Sequence, residues 1–220
     1  MIFKKITFLF VLSTFFTSCD TEDNNYYDDQ SLCSINGIIN GIEETIIATS
    51  FTEWNYFLVT DTGFVNIGSL TDEQAQSSYD WDIAMMRNHF RTNSGLSGPA
   101  NGGAVMFEET WSCDSFNEMI EFPSDLTFTQ DSILNNIYQL GIHEDPEDAY
   151  TEDEGSHILE NWGWFDIDNS YYFNYTHKQF IVKLPPENDP RYIKLWPYQY
   201  YGELGESAHV SLIYDFVIPN

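Results

Sequence analysis

The chain is predicted to fold as an all-β domain carrying a few short helical pieces, and three observations lead there. Phe, Tyr and Trp supply 17% of its residues, and their side chains suit the pleated, half-buried surface of a sheet. Apolar runs of strand length recur from end to end, separated by Gly, Pro, Asp and Asn turn chemistry. No GxGxxG, P-loop or tandem repeat is present, so the signatures of nucleotide-binding α/β folds and of solenoids are missing.

In chain order, the strand candidates begin with GIIN running into ETIIATS at Ser50. WNYFLVT (54–60) and GFVNIGS (63–69) follow, and Asp61-Thr62-Gly63 between them is hairpin chemistry. TDEQAQSS (71–78) is a helical candidate of about two turns, with Thr71 as its cap. In WDIAMMR (81–87), strand alternation places Trp81, Ile83 and Met85 on one face and Asp82, Ala84 and Met86 on the other. Arg87 and Arg91 stand at its end, ahead of a loop whose Gly95, Gly98, Gly102 and Gly103 permit tight turns. GGAVMF (102–107) is expected to return beside that strand. SFNEMIEF (115–122) is a second short helical candidate, while SDLTFTQDSILNNIYQLGI (124–142) reads as strands because Thr, Phe, Ile and Tyr recur in it. QFIVKL (179–184) and RYIKLW (191–196) are joined by a Pro-rich loop, and VSLIYDFVI (210–218) closes the chain.

Ahead of these lies MIFKKITFLFVLSTFFTSC, with Lys4 and Lys5, an apolar run from Ile6 to Phe16, and small residues before Cys19. This is an export leader ending in a lipobox. Its apolar run is shorter than the ~20 residues needed to cross a bilayer. Residues 1–18 are therefore read as a cleaved lipoprotein signal peptide, with Cys19 carrying lipid. Residues 19–34 are read as an acidic flexible tether, and residues 35–220 as a single β domain.

The chain has 35 acidic residues against eight basic ones, a formal charge of −27. Loss of Lys4 and Lys5 with the leader deepens that imbalance. Nucleic acid is excluded as a partner, since phosphate binding needs clustered Lys and Arg. The same field opposes anionic lipid, so the membrane is reached only through the N-terminal lipid. With Cys19 lipidated, Cys33 and Cys113 remain as an even pair in an oxidising compartment, either bridged or free.

Motifs for chemistry are sparse. The histidines, His89, His143, His157, His177 and His209, show none of the close pairing of a zinc site. HEDPEDAYTEDEG (143–155) lacks the ligand spacing of a calcium loop and reads as a solvated acidic loop, as does DIDNS (166–170). GESAH (205–209) lacks the second glycine of a nucleophile elbow. Ser207 and His209 would share one face of a regular strand. No set of nucleophile, base and oxyanion donor emerges, so the chain is read as a binding protein and not an enzyme. NWGWFDIDNSYYFNY (161–175) holds more rings than one strand face can bury. It is either a hairpin packed on the core or a partly exposed platform for a sugar or a flat ligand.

Several of these stretches resemble the HmuY-like haem-binding lipoproteins of Bacteroidetes. The resemblance runs from Trp54 to the C-terminus, through WNYF, GFVNI, WDIAMMRNHFRTNSGLSGPANGGAV, FIVKL, YIKLWPYQYY and SLIYDFVI in family order. The acidic run after Cys19 is similar to the export tag of Bacteroidetes surface lipoproteins. The resemblance implies a hand-like antiparallel β fold lipid-anchored on the outer face of the outer membrane, exposed at the cell surface, and it implies capture of haem b. Haem would come from host or environmental haemoproteins and pass to a TonB-dependent receptor for iron acquisition. It places Arg87 and Arg91 in the scaffold of the glycine loop. It carries the first axial-ligand position onto His143, in YQLGIHEDPED. The second falls near GWFDIDNSYYF, which offers Asp166, Asp168 and Asn169 but no His or Met, leaving the flanking His157 and His177 as candidates. The alternative reading is a lipoprotein of the same fold that recognises a glycan or another nutrient.

Overall fold

The computed structural model describes residues 40–108, 113–138, 150–166 and 172–220, which form two packed sheets with two further hairpins against them. In chain order the elements are β1 (Ile42–Ile47), β2 (Asn55–Thr60), β3 (Gly63–Ser69), α1 (Asp72–Ala75), β4 (Ile83–Met86), β5 (His89–Thr92), β6 (Gly103–Glu108), α2 (Cys113–Glu118) and β7 (Glu121–Phe122). Then come β8 (Ser132–Tyr138), β9 (Tyr150–Gly155), a 3-10 turn (Leu159–Trp162), β10 (Gly163–Phe165), β11 (Phe173–Tyr175), β12 (Gln179–Leu184), β13 (Arg191–Tyr201) and β14 (Ser207–Pro219).

The larger sheet runs β1-β14-β13-β12-β6, entirely antiparallel, with β7 added parallel to the end of β14. The smaller runs β3-β2-β4-β5. Hairpins β2–β3 and β12–β13 form as their turn residues dictate. Thr60 pairs with Gly63 around the two-residue turn Asp61-Thr62, and Gly63 opens β3 at φ 146, a value open to glycine. The inward side chains of both sheets, among them Phe57, Val59, Ile83, Met85, Phe180, Val182, Leu195 and Leu212, make one buried core. Burying apolar area of this kind, at about 25 cal/mol per Å², is what favours the sandwich.

The smaller sheet is covered on its outer side too. Ala84 and Met86 point away from the main core and meet Trp54, Tyr56, Ala75 and Trp81, together with Leu134 and Ile137 of β8. Here the expected alternation fails at one end. Ile83 and Met85 share a face, but Trp81 lies with Ala84 and Met86, because the strand starts only at Ile83. Trp81 instead lies under α1, donating from Nε1 to the Ala75 carbonyl at 3.1 Å. α1 is a single turn, with Thr71 and Gln74 forming a reciprocal capping box.

A second expectation fails at GGAVMF. The partner of β4 is β5, reached through the two-residue turn Arg87-Asn88, while Gly103–Glu108 pairs with β12 in the other sheet. A turn with Arg87 at φ 57 carries no Gly or Asn-Gly signal at its first position, which is why HFRT was not legible as a strand.

Buried charge joins the layers. Arg191 of β13 places Nη2 2.7 Å from both carboxylate oxygens of Asp82 and donates from Nη1 to the Val59 carbonyl at 2.7 Å. Asp82 also accepts the Val59 amide at 2.8 Å. Burial pushes the Asp82 carboxyl above its ordinary range, against the pull of Val59 and Arg191. Lys194, fully buried, donates to the Phe116 and Met119 carbonyls at 2.6 and 3.0 Å and so ties the end of α2 to β13. Replacing Asp82 by Ala strands the Val59 N–H and the Arg191 fork together. A loss of about 2–4 kcal/mol is expected, to be read as a lower urea midpoint at unchanged m-value.

Candidate functional site

The segment Arg91-Thr92-Asn93-Ser94-Gly95 leaves the smaller sheet and docks residue by residue onto the foot of hairpin β8–β9. Arg91 is 1% exposed. Its Nε donates to the Glu154 carbonyl at 3.0 Å, Nη1 to Tyr56 Oη and Asp72 Oδ1 at 2.9 Å each, and Nη2 to Asp153 and to Glu154 Oε2. Each of the five N–H groups of the guanidinium fork thus has an acceptor. Burial alone would lower the Arg91 pKa, but Tyr56, Asp153 and Asp72 together hold it raised. The Trp54 ring lies 4.3 Å from its Cζ, and Trp54 Nε1 donates to Asp153 at 2.9 Å. The carboxylates of Asp72, Asp153 and Glu154 converge as metal ligands would, and the cation between them is Arg91.

The acidic loop is corrected by this arrangement. Tyr150–Gly155 is a strand, paired with β8 from Ser132↔Gly155 to Tyr138↔Tyr150. A buried arginine needs carboxylates, and the acidic stretch provides them.

Thr92, Ser94 and Gly95 grip the other strand of the hairpin at Asp131. The buried Asp131 carboxylate accepts Thr92 N–H at 2.7 Å and Thr92 Oγ1 at 2.6 Å, while Ser94 Oγ accepts the Asp131 amide at 3.1 Å. Gly95 has φ 57, and a Cβ there would sit 2.2 Å from the Asp131 carbonyl oxygen. Asn93 holds the loop's own shape, donating to the Trp81 carbonyl at 2.8 Å and accepting the Ala100 amide at 3.2 Å. Complete burial raises Asp131 to about 7, against the opposing pull of Thr92, Ser97 and Arg91.

Past β9, the short segment up to Trp162 fastens the two hairpins to one base. Ser156 N–H donates to the Phe90 carbonyl at 2.9 Å. The Glu160 carboxylate lies 3.0 Å from His89 Nδ1 and accepts from Asn136 Nδ2 of β8 at 3.2 Å. Trp162 Nε1 donates to the Asn88 carbonyl at 2.8 Å. Its ring packs against Phe90 of β5 and Phe173 of β11 at centroid distances of 6.1 and 4.4 Å. Phe173 stacks on Tyr200 of β13 at 4.9 Å, and Phe165 meets the same ring edge-on at 5.1 Å. Strand alternation divides the β10–β11 rings. Phe165, Phe173 and Tyr175 pack inward against the core, whereas Trp164 and Tyr172 are more than half exposed on the outer face.

The predicted site residues fall as follows. His143 and Cys33, with Asp168 and Asn169, lie outside the described residues, as does Cys19. His157, exposed, bonds through Nε2 to the Ile133 carbonyl of β8 at 2.8 Å. His177 is buried, at φ 55, with its ring 6.1 Å from that of Tyr175. Asp166 donates its amide to the Tyr172 carbonyl at 3.1 Å. Cys113 is disulfide-bonded, to a partner outside the described residues. Ser207 and His209 form no hydroxyl–imidazole pair: Ser207 Oγ accepts from Arg87, and His209 Nδ1 lies 3.3 Å from the Ser207 carbonyl oxygen. Residues the sequence did not mark as part of the site are Asp131, Glu160 and Asp153. Only Asp131 had a local signal, as a lone acid leading into an apolar strand.

The fold is thus a two-sheet sandwich whose polar side chains brace the feet of two consecutive hairpins, β8–β9 and β10–β11. The chain belongs to the HmuY family, whose model, that of the HmuY protein, matches residues 50–214. Solved structures of the same fold include a candidate HmuY-like haem-binding protein from Bacteroides vulgatus, at 18% identity and TM-score 0.55, covering 78% of this chain and 89% of that one. The apo HmuY analogue of Tannerella forsythia also gives 18% and 0.55, over 81% and 96%. A candidate lipoprotein of Bacteroides fragilis gives 17% and 0.56, over 78% and 86%. No curated protein matches the chain.

Two outcomes are expected from the foot of the first hairpin. Arg91→Ala leaves three carboxylates facing one another and should cost about 3–5 kcal/mol, with amide exchange in β9 accelerating ahead of exchange in β13. For Asp131, the folded protein holds the proton more tightly than the unfolded chain. Its contribution to stability is full below about pH 4 and is lost as pH rises through about 7. Wild type should therefore lose stability relative to Asp131→Asn between those limits, measured by urea unfolding at stepped pH.

Proposed function

We propose that the chain is a surface-exposed outer-membrane lipoprotein that binds haem b as cargo and hands it to a TonB-dependent receptor. Membership of the HmuY family carries this reading, and the braced hairpins supply its physical basis. A loop that must hold a metal-centred ring needs a foot that does not move, and the Arg91 and Asp131 joints provide one for the segment that contains His143. His143 is the favoured axial ligand, through imidazole nitrogen. His157 and His177 remain the candidates for the opposite side, where 167–171 contains no His or Met. His157 keeps Nδ1 available while Nε2 is bonded to β8.

Anchoring follows the leader: Cys19 carries the lipid and residues 20–34 act as the tether. With Cys19 lipidated, Cys33 is the cysteine left to bridge Cys113, which would fix the end of the tether to α2. The receptor would take haem from the hairpin face, and the source of haem would be a host or environmental haemoprotein.

Haemin titration tests this on the mature chain carrying Cys19→Ser. A saturable one-to-one Soret shift with a low-spin spectrum is expected, weakened at least about tenfold by His143→Ala. Absorbance that stays linear and matches free haemin would overturn it. A second reading rests on Trp164 and Tyr172, both exposed at the β10–β11 hairpin, with Asn174 of β11 directly across from Trp164. Aromatic faces beside an amide are the chemistry of glycan recognition. If that reading holds, oligosaccharide titration gives a saturable heat that Trp164→Ala abolishes.

A further inference from the structure

The chain has three arginines, and they are treated differently. Arg91 and Arg191 are matched by carboxylates. Arg87, among the described residues, makes no ion pair, although acidic residues outnumber basic ones more than fourfold. Its guanidinium is nevertheless held in place. The Arg87 amide donates to the Ala48 carbonyl at 2.8 Å, and the residue sits at φ 57, an uncommon and costly conformation for a side chain of this size. Cζ lies 4.1 Å over the Phe51 ring. Nη2 donates to Ser207 Oγ at 3.0 Å and Nη1 reaches the Thr49 carbonyl at 3.4 Å. Every one of these partners is neutral. Two N–H groups of the fork meet Ser207 and Thr49, and no carboxylate among the described residues takes the others.

A second group faces the same spot. Tyr200, fully buried, has its ring 5.7 Å from Arg87 Cζ, and its hydroxyl is faced by the Ser207 and Arg87 side chains. Burial pushes that phenol up to about 12, with Arg87 pulling the other way, so it stays a donor at neutral pH. The Tyr200 ring also stacks on Phe173 at the foot of the β10–β11 hairpin. Arg87 is only half-buried. A planar fork that no carboxylate of the described residues neutralises, held in a pre-set orientation with a phenol beside it, lacks one thing, a planar anionic acceptor.

We propose that Arg87, with Ser207 and Tyr200, forms a binding site for an organic carboxylate, and that where the ligand is a porphyrin the group taken is a propionate. The porphyrin half of this rests on the haem reading above; the carboxylate chemistry does not. The chain's negative field repels an anionic ligand at a distance, so a local, unneutralised arginine has a defined task in seating one.

The test separates the carboxylate from iron ligation by using metal-free protoporphyrin IX and its dimethyl ester, followed by tryptophan quenching on the mature Cys19→Ser chain. The free acid should bind at least about tenfold more tightly than the ester, as expected for a charge-assisted pair. Arg87→Gln, which keeps the backbone cost of the turn, should bring the acid down to the ester's affinity while leaving the ester unmoved. An acid-to-ester ratio that Arg87→Gln does not change overturns the proposal, even if haemin binds. If neither porphyrin binds, benzoate is titrated while the Arg87 Nε–H resonance is followed. A saturable shift then keeps the carboxylate site and removes only the haem reading. No shift, or an equal shift with inorganic phosphate, overturns the proposal.

Discussion

Burying the guanidinium of Arg91 is costly unless its charge and all its N–H groups are met, and the chain meets them from three places far apart in sequence. Tyr56 comes from β2, Asp72 from the start of α1, and Asp153 and Glu154 from β9. The arginine can stay buried only if the smaller sheet, the capped turn and the hairpin arrive together. The neighbouring residues extend the same constraint: Thr92 donates to Asp131 at the root of β8, and Ser94 accepts the Asp131 amide. One five-residue segment therefore clamps both strands of the hairpin, and its charge requirement sets their position.

This economy explains how so acidic a protein uses few cations. Arg191 joins β13 to Asp82 at the mouth of β4, and Lys194 closes the end of α2. Each buried cation sits at a joint between elements, while most carboxylates remain on the surface, where repulsion among them is screened. The polar groups that brace the hairpins lie at their feet. Arg87 departs from the pattern by facing neutral groups among the described residues.

Much of the architecture was legible because sheet periodicity is written locally. The strands from Asn55 to Ser69 and from Gln179 to Pro219 follow their apolar runs, and Thr71 with Gln74 is a cap visible in four letters. The aromatic run is a hairpin, with Phe173 and Tyr175 packed inward and Trp164 exposed, a division that the residue types alone do not give. What was missed has a common character. β9 looked like a solvated loop because its side chains are acidic, and β5 was hidden behind a turn lacking glycine. The role of GGAVMF was misassigned because a strand's own pattern does not say which neighbour it joins.

The sequence by itself determined the β class, the sign of the protein's field and the family features from Trp54 onward. These depend on composition and on residues near one another along the chain. Tertiary structure decided which carboxylates meet Arg91, that Asp131 is buried at the hairpin root, and that Arg87 meets none among the described residues. Ion pairing is set across sequence separations of 19 to 109, as in Arg91 to Asp72 and Arg191 to Asp82, and no local pattern encodes it.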